Sequence, residues 1–168
     1  MKILFLGDVV GLSGCKKITN DLSGQIQKNN IDFVIVNAEN ADERGVGLTK
    51  EICKDFFENG VDVITTGNHV WDQKDIMNFI DKENRLLRPK NLFEPSPGRG
   101  FEIYKTKKNH KVGVLNLMGN VFMKKCDDVF KISKDFLEKY NLKKDYDFLI
   151  VDFHGEITSE KNAIAVSY

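Results

Sequence analysis

Three short apolar runs in the first half of the sequence constrain the fold most, because two are continuous and the third is interrupted only by Asp62. The runs cover residues 3–6, 33–36 and 61–64. A strand with one face in water alternates, whereas a strand covered on both faces is apolar throughout, as in a parallel sheet. The segments between the runs carry apolar residues at helical spacing and supply the crossovers that parallel strands need. The pattern therefore predicts an α/β fold with parallel core strands.

Helix boundaries are predicted from polar residues that precede the helical segments. Ser13 is a candidate N-cap for a helix that continues to Asn29. Thr49 is a candidate N-cap for a second helix, which Gly60 ends. A short helix is predicted over residues 74–80, and all three prolines fall in the irregular segment that follows.

The order of predicted strands and helices changes in the second half of the chain. Residues 101–104 and 111–117 are predicted strands around a tight turn at Lys108 and Asn109, which permits antiparallel pairing. A helix over 130–140, a buried strand over 148–153 and a last helix capped by Thr158 complete the prediction. We expect one domain over residues 1–168, with a mixed sheet and parallel core strands.

Composition excludes several classes of function. The 25 Lys and Arg residues balance 25 Asp and Glu residues, so no global basic field attracts phosphates and stable nucleic-acid binding is not expected. No stretch approaches the roughly 20 apolar residues that span a bilayer. The three cysteines lie far apart, with no Cys-x-x-Cys pair, which indicates a reducing compartment. We therefore expect a cytoplasmic protein with no membrane association.

Polar side chains gather just past the ends of four predicted strands. Ligands of open α/β sheets bind outside the carboxyl ends of the strands, so these side chains would converge if the strands are parallel neighbours. Carboxylates, amide oxygens and imidazoles without a thiolate suit manganese, iron or zinc, and pairs of such ions. The residues are Asp8 after the first run, Glu39 and Asn40 after the second, Asn68 and His69 after the third, and His154 after the last.

Each of these residues also has a structural interpretation. Asp8 could cap the following helix, and Glu39 with Asn40 could simply open a polar loop. Asn68 after Gly67 is a common turn pair, and either histidine could be a half-buried residue with satisfied hydrogen bonds. Their shared position past strand ends favours the functional interpretation, because chance would scatter them along the strands.

The glycine-rich segment 7–14 lies between a strand and a helix, as phosphate-binding loops do. It matches neither Gly-x-Gly-x-x-Gly nor the Gly-Lys-Ser/Thr of a P-loop. Asp8 within it would repel a phosphate directly, whereas a metal ion between the two would reverse the sign of the interaction. The segment therefore favours a metal-bridged site over a bare anion cradle.

Several motifs together resemble the calcineurin-like metallophosphoesterases, and most closely their bacterial YmdB-type subfamily. The strings cover nearly the whole chain in order: GDVVGLSG (7–14), NAENADERGVGLT (37–49), TGNHVWD (66–72), LRP (87–89), NLMGNVFM (116–123) and VDFHGEITSEK (151–161). The resemblance implies a mixed-sheet α/β sandwich. It also implies that family members continue for roughly a hundred residues, a length close to a small domain. Their last strands, with a Gly-x-His-x-His block that ligates both metals, would follow residue 168, so the sequence is a fragment, a truncated gene product or a protein that acts differently from its relatives.

Two departures from the general superfamily pattern concern predicted metal-binding positions. Val10 stands where the first block usually has a histidine, and Glu39 stands where a bridging aspartate is usual. Asn40 would then supply the contact of the missing histidine. Within the subfamily, Asn120 stands where an arginine is more usual, so a phosphate contact is in question.

The resemblance implies a site for two divalent metal ions, with iron or manganese favoured and zinc or magnesium left open. Asp8 and Asn40 would bind the first ion, Glu39 would bridge, and Asn68 and His154 would bind the second. Two such ions activate a hydroxide that attacks phosphorus, and His69 would protonate the leaving group as general acid. The implied reaction is hydrolysis of a small-molecule phosphodiester or nucleotide, cyclic nucleotides being the suggested class, with monoesters also open.

An alternative belongs to another class of protein. Without the two histidines of the Gly-x-His-x-His block, the remaining metal-binding positions could fail to hold two ions, which would leave a non-catalytic or inactive truncated remnant that binds a nucleotide or a protein. Without the last strands, a sheet edge and apolar surface would be uncovered, which favours association and leaves a homo-oligomer open.

Overall fold

The computed structural model describes residues 1–168 and contains two three-stranded sheets with four α-helices. The strands are β1 (Ile3–Leu6), β2 (Phe33–Asn37), β3 (Val63–Thr65), β4 (Phe101–Lys105), β5 (Lys111–Met118) and β6 (Phe148–His154). The helices are α1 (Gly11–Asn29), α2 (Lys50–Glu58), α3 (Val129–Lys139) and α4 (Thr158–Ala165), with a 3₁₀ helix at Lys74–Asn78.

The two sheets differ in strand direction. The first has the order β1-β2-β3 and is parallel throughout. In the second, of order β4-β5-β6, β4 pairs antiparallel with β5 and β5 pairs parallel with β6. The predicted mixed α/β sandwich with parallel core strands is confirmed. The condition under which convergence was predicted, that the four strands are parallel neighbours, is not met, since β6 belongs to the second sheet.

Alternation along β2 shows what covers each face of the first sheet. Val34 and Val36 belong to the cluster that includes the apolar faces of α1 and α2. Phe33 and Ile35 point the other way, into a second cluster that includes Val112 and Val114 of β5. Every residue of β2 is buried, so its continuous apolar run reflects a helix layer on one face and a sheet on the other.

The outer face of the second sheet is covered by the remaining helices. Leu115 and Leu117 of β5 pack with Val129 and Phe136 of α3 and with Ile164 of α4. The order of layers is therefore helices, sheet, sheet, helices. This arrangement stacks the two sheets directly on each other, so their strand ends can face a common site.

Two of the three predicted helix caps are wrong. The Thr49 hydroxyl accepts a hydrogen bond from the backbone N–H of Ile52 at 3.3 Å, as predicted for α2. No side-chain hydrogen bond caps α1 or α4. Gly11, at φ +61°, begins α1 earlier than predicted by donating its N–H to the Asn40 carbonyl at 2.8 Å.

The first sheet has one open edge, at β1. At the opposite edge, Leu86 forms a β-bridge with Ile64 of β3, and Leu87 forms one with Arg99. Residues 86–87 therefore cover that edge. A groove of about 910 Å³ runs between β1 and α1 and reaches Asp8 at one end, but neither His69 nor His154 lines it.

None of the helices is both long enough and apolar enough to cross a membrane.

Candidate metal and phosphoester site

All six residues predicted for the site lie at one end of the sandwich, although they come from both sheets. Five follow β1, β2 or β3, and His154 is the last residue of β6. The prediction of convergence assumed neighbouring strands in one sheet. The structure brings the residues together in a different way, by stacking two sheets with their parallel strands ending on the same side.

Three of the six side chains meet at a single nitrogen. His154 Nε2 lies 2.9 Å from Glu39 Oε1 and 2.8 Å from Asn68 Oδ1. The Glu39 side chain is only 1% exposed, and its other oxygen accepts the backbone N–H of His69 at 3.2 Å. A buried carboxylate needs partners for both oxygens, and the chain supplies them from two different sheets.

The protonation of His154 is set mainly by two opposing influences. Burial alone would lower the pKa of the imidazole, but the adjacent Glu39 carboxylate favours the charged form. The net result is a pKa above the ordinary histidine value. A proton on Nε2 can then be shared between the Glu39 and Asn68 oxygens.

The backbone approaches this cluster closely at Gly67. A Cβ atom at this position would overlap the Glu39 carboxylate and would lie 2.6 Å from two carbons of the His154 ring. Only glycine therefore fits between the end of β3 and the cluster, which explains the residue that precedes Asn68.

Asp8 and Asn40 form a second group beside the first. The Asn40 amide donates to both Asp8 oxygens, at 2.9 and 3.2 Å. Asp8 therefore does not cap α1, which was the alternative interpretation of this residue. The Oδ1 atom of Asn40 is buried and has no hydrogen-bond partner, so it is an acceptor that lacks a cation or a donor.

His69 is held from behind by a carboxylate. Its Nδ1 lies 2.5 Å from Asp72 Oδ2, and Lys124 Nζ lies 3.1 Å from the other Asp72 oxygen. Partial burial would raise the pKa of Asp72, but the hydrogen bonds from His69 and Lys124 keep it below the usual range. With Nδ1 engaged, Nε2 is the ring nitrogen left for chemistry.

A buried polar pair lies behind the site, between the sheets. Asp152 shares a strand face with His154, two residues on, and its Oδ2 accepts from Asn37 Nδ2 at 3.0 Å. Burial raises the pKa of Asp152, against the effect of its hydrogen-bond partners. Sequence reasoning missed this residue, although the period of two along β6 places it on the same face as His154.

Sequence reasoning also missed Asp72 and Lys124. Asp72 lies three residues after His69, a spacing that could have suggested the contact. No sequence signal links Lys124 to it, because the pair is 52 residues apart.

Asn120 stands at the position where the subfamily more usually has an arginine that could contact phosphate. In this structure its side chain holds its own loop together. Its Oδ1 accepts the N–H of Val129 at 3.0 Å, and its Nδ2 donates to the Asp127 carbonyl at 3.0 Å. The side chain therefore closes a loop and does not point a free amide at the site.

The carboxylate, amide and imidazole side chains of the site are groups that bind divalent cations. Glu39 Oε1 and Asn68 Oδ1 already converge on His154 Nε2, and a cation takes the same oxygen and nitrogen donors. The orphaned Asn40 oxygen is a further donor in the second group. No group of three His, Cys, Asp or Glu side chains is clustered tightly enough to hold a metal by itself. The amides of Asn40 and Asn68 are therefore needed to complete the set.

Comparison with known proteins identifies the family of this chain. The model of the family described as YmdB-like protein matches residues 4–168. The chain belongs to the YmdB-like family. Among YmdB-like relatives, the 2′,3′-cyclic-nucleotide 2′-phosphodiesterase of Bacillus subtilis is 39% identical over 164 residues, which cover 98% of this chain and 61% of the relative.

Two solved structures resemble the YmdB-like fold described here. A hypothetical protein from Thermus thermophilus superposes with a TM-score of 0.89 at 33% identity, over 99% of this chain and 63% of that one. A novel phosphatase from Mycoplasma pneumoniae gives 0.88 at 38% identity, over 99% and 59%. The chain thus spans about three fifths of the length of these YmdB-like relatives.

Proposed function

We propose that the protein is a metal-dependent phosphodiesterase that hydrolyses small phosphodiesters, with 2′,3′-cyclic nucleotides as the substrate class. The observation that carries the proposal is the convergence of Glu39 and Asn68 oxygens on His154 Nε2, beside the Asp8–Asn40 pair. The substrate class is suggested by the name of the Bacillus subtilis relative. The proposal includes a cytoplasmic location, which three free cysteine thiols support.

Two divalent cations, iron or manganese first, would be held by two groups of donors. Asp8 and Asn40 would hold one, Asn68 and His154 the other, and Glu39 would reach both. Such ions polarise the phosphoryl oxygens and supply a nucleophile at neutral pH. Magnesium would suit the same donors less closely, because it prefers an all-oxygen site, and zinc stays open.

His69 would act as the general acid for the leaving alkoxide. Its backbone N–H is fixed by Glu39 and its Nδ1 by Asp72, so the ring is held with Nε2 free. A histidine can carry a proton near neutral pH and release it to a leaving oxygen. Asp72 would stabilise the protonated ring, as a carboxylate does when it orients an imidazole.

The test separates chemistry from metal binding. His69→Ala should lose about 10²–10⁴-fold in turnover of a phosphodiester while retaining bound metal, since a positioned acid contributes that much. Glu39→Gln should instead lower metal content, measured by elemental analysis. Loss of metal in His69→Ala with unchanged activity per bound ion would contradict the assigned roles.

One observation favours a second candidate, a non-catalytic nucleotide-binding or protein-binding module. The Asp8 group and the Glu39–His154 group are separate, and neither holds three His, Cys, Asp or Glu side chains. Under this candidate the purified chain would bind a nucleotide but show no manganese- or iron-dependent hydrolysis. Turnover of a chromogenic phosphodiester that depends on added metal would exclude it.

A further inference from the structure

The segment 119–127, called here the 119–127 loop, is attached at two points to residues of the candidate site. Gly119 donates its N–H to the His154 carbonyl at 2.8 Å. Lys124 Nζ lies 3.1 Å from Asp72 Oδ1, and the other oxygen of Asp72 holds His69. Residues 120–123 connect these two attachments, so this part of the loop joins the end of β6 to the carboxylate that holds His69.

The base of the 119–127 loop is fixed by asparagine side chains. Asn91 donates to the carbonyls of Met118 and Asp127, at 2.7 and 3.1 Å, and so joins the two ends of the loop. Asn120 adds its own bonds to Asp127 and Val129. These bonds fix both ends of the loop relative to each other.

Phe122 lies at the tip and points into solvent. It is 85% exposed, more than any other phenylalanine in the chain. Its φ of +62° lies in the left-handed region that bulky residues rarely occupy. Such conformations persist only where the surroundings enforce them, and they cluster at functional positions.

The chemistry of the loop tip matches the two parts of a nucleotide. Lys124, two residues from the exposed ring, uses Asp72 as one partner and is 54% exposed, which leaves donors for an anion. An aromatic ring and a cation on the same loop are the two groups that can stack on a base and attract a phosphate.

We propose that Phe122 is the residue on which the base of the substrate stacks while the phosphate lies between His69 and His154. The inference rests on the proposed function and deepens it, because it assigns the preference for a nucleotide to one side chain. The 119–127 loop would then form the wall of the site that selects nucleotides over simple phosphodiesters.

The test compares binding of two probes by calorimetry in manganese buffer, with every protein, the wild-type reference included, carrying His69→Ala so that the probes are bound but scarcely hydrolysed. The probes are adenosine 2′,3′-cyclic phosphate and 1-O-methylribose 2′,3′-cyclic phosphate, which lacks the base. Phe122→Ala should weaken binding of the adenosine probe about 5- to 150-fold, the range of base–aromatic stacking, and leave the base-free probe unchanged. Phe122→Trp should restore binding, since stacking tolerates any aromatic ring.

Phe148→Ala is the matched control, because Phe148 is also exposed but starts β6, at the opposite end from His154. It should bind both probes as the wild type does. Wild-type protein that binds the two probes equally well would overturn this inference and leave the proposed function standing. Equal weakening of both probes by Phe122→Ala would also overturn it. Wild-type protein that binds neither probe would contradict the proposed function itself.

Discussion

At the residue scale, the candidate site depends on side chains that orient one another. His69 would present Nε2 because Asp72 holds Nδ1, and Asp72 is in turn fixed by Lys124. His154 is oriented in the same manner by Glu39 and Asn68. Each reactive side chain therefore has a neighbouring residue that orients it. Substitution of that neighbour should lower activity although the reactive side chain itself is still present.

Asp72→Asn tests this dependence directly. The amide cannot stabilise a protonated imidazole as a carboxylate does, so we expect kcat to fall about 10- to 100-fold with a smaller change in KM. Steady-state kinetics on a phosphodiester would measure it. Asp21→Asn is the control, because Asp21 pairs only with Lys17 on the surface of α1. Equal activity of the two variants would argue against an orienting role for Asp72.

The buried thiols should be unreactive in the folded protein. Burial raises the pKa of Cys53 from an ordinary 9.0 to about 12, so almost no thiolate exists at pH 8. Iodoacetamide at pH 8 should label Cys53 only after denaturation, as peptide mass spectrometry would show. Because the thiol of the unfolded chain ionises first, the folded state should lose stability as pH rises from about 9 to 12. Rapid labelling of native protein would contradict the burial of this residue.

At the element scale, helix α2 and helix α1 begin in different ways. Thr49 caps α2 with its hydroxyl, whereas the N-terminus of α1 has no side-chain cap and its start is tied to Asn40 by Gly11. The first was predictable, because a threonine before an amphipathic segment is a local signal. The second was not, because it depends on a contact with a residue about 30 positions away.

Thr49→Ala and Ser13→Ala form a matched pair for this difference. Loss of the Thr49 cap should lower the free energy of unfolding by about 0.5–2 kcal/mol. Ser13→Ala should change it by less than about 0.5 kcal/mol, since Ser13 lies within α1 and caps nothing. Urea denaturation followed by circular dichroism would measure both. A larger loss at Ser13 than at Thr49 would contradict the observed helix start.

At the scale of the whole molecule, sequence predicted the strands better than their assembly. The apolar runs identified β1, β2 and β3, and the positions past their ends identified Asp8, Glu39 and Asn68. A continuous run shows that both faces of a strand are covered, but not whether a helix or a sheet covers each. The division into two sheets and the contact of Asp152 with Asn37 were unpredictable for this reason, and the contact of Lys124 with Asp72 was unpredictable because the two residues lie 52 positions apart. The roles of the site residues, the metals and the single-domain boundary over 1–168 stay predictions.

A cation held by both sheets should stabilise the whole fold. A ligand at a hundredfold excess over its Kd adds about 2.7 kcal/mol if it binds only the native state, which corresponds to about 5–10 °C in Tm for this length. Differential scanning fluorimetry with manganese should show such a rise in wild-type protein. Glu39→Gln should abolish it, whereas Glu138→Gln, at an exposed position on α3, should not. An equal rise in both variants would place the cation elsewhere.

The separation of His154 from its partners along the chain has a consequence for biosynthesis. A ribosome releases Asp8, Glu39, Asn40 and Asn68 long before it releases residue 154, which must pair with an amide 86 positions earlier. A nascent polypeptide with only the first sheet would expose the Glu39 and Asn68 oxygens without the His154 imidazole on which they converge. Competence for ligand capture should therefore emerge late in translation, once β5 and β6 have docked.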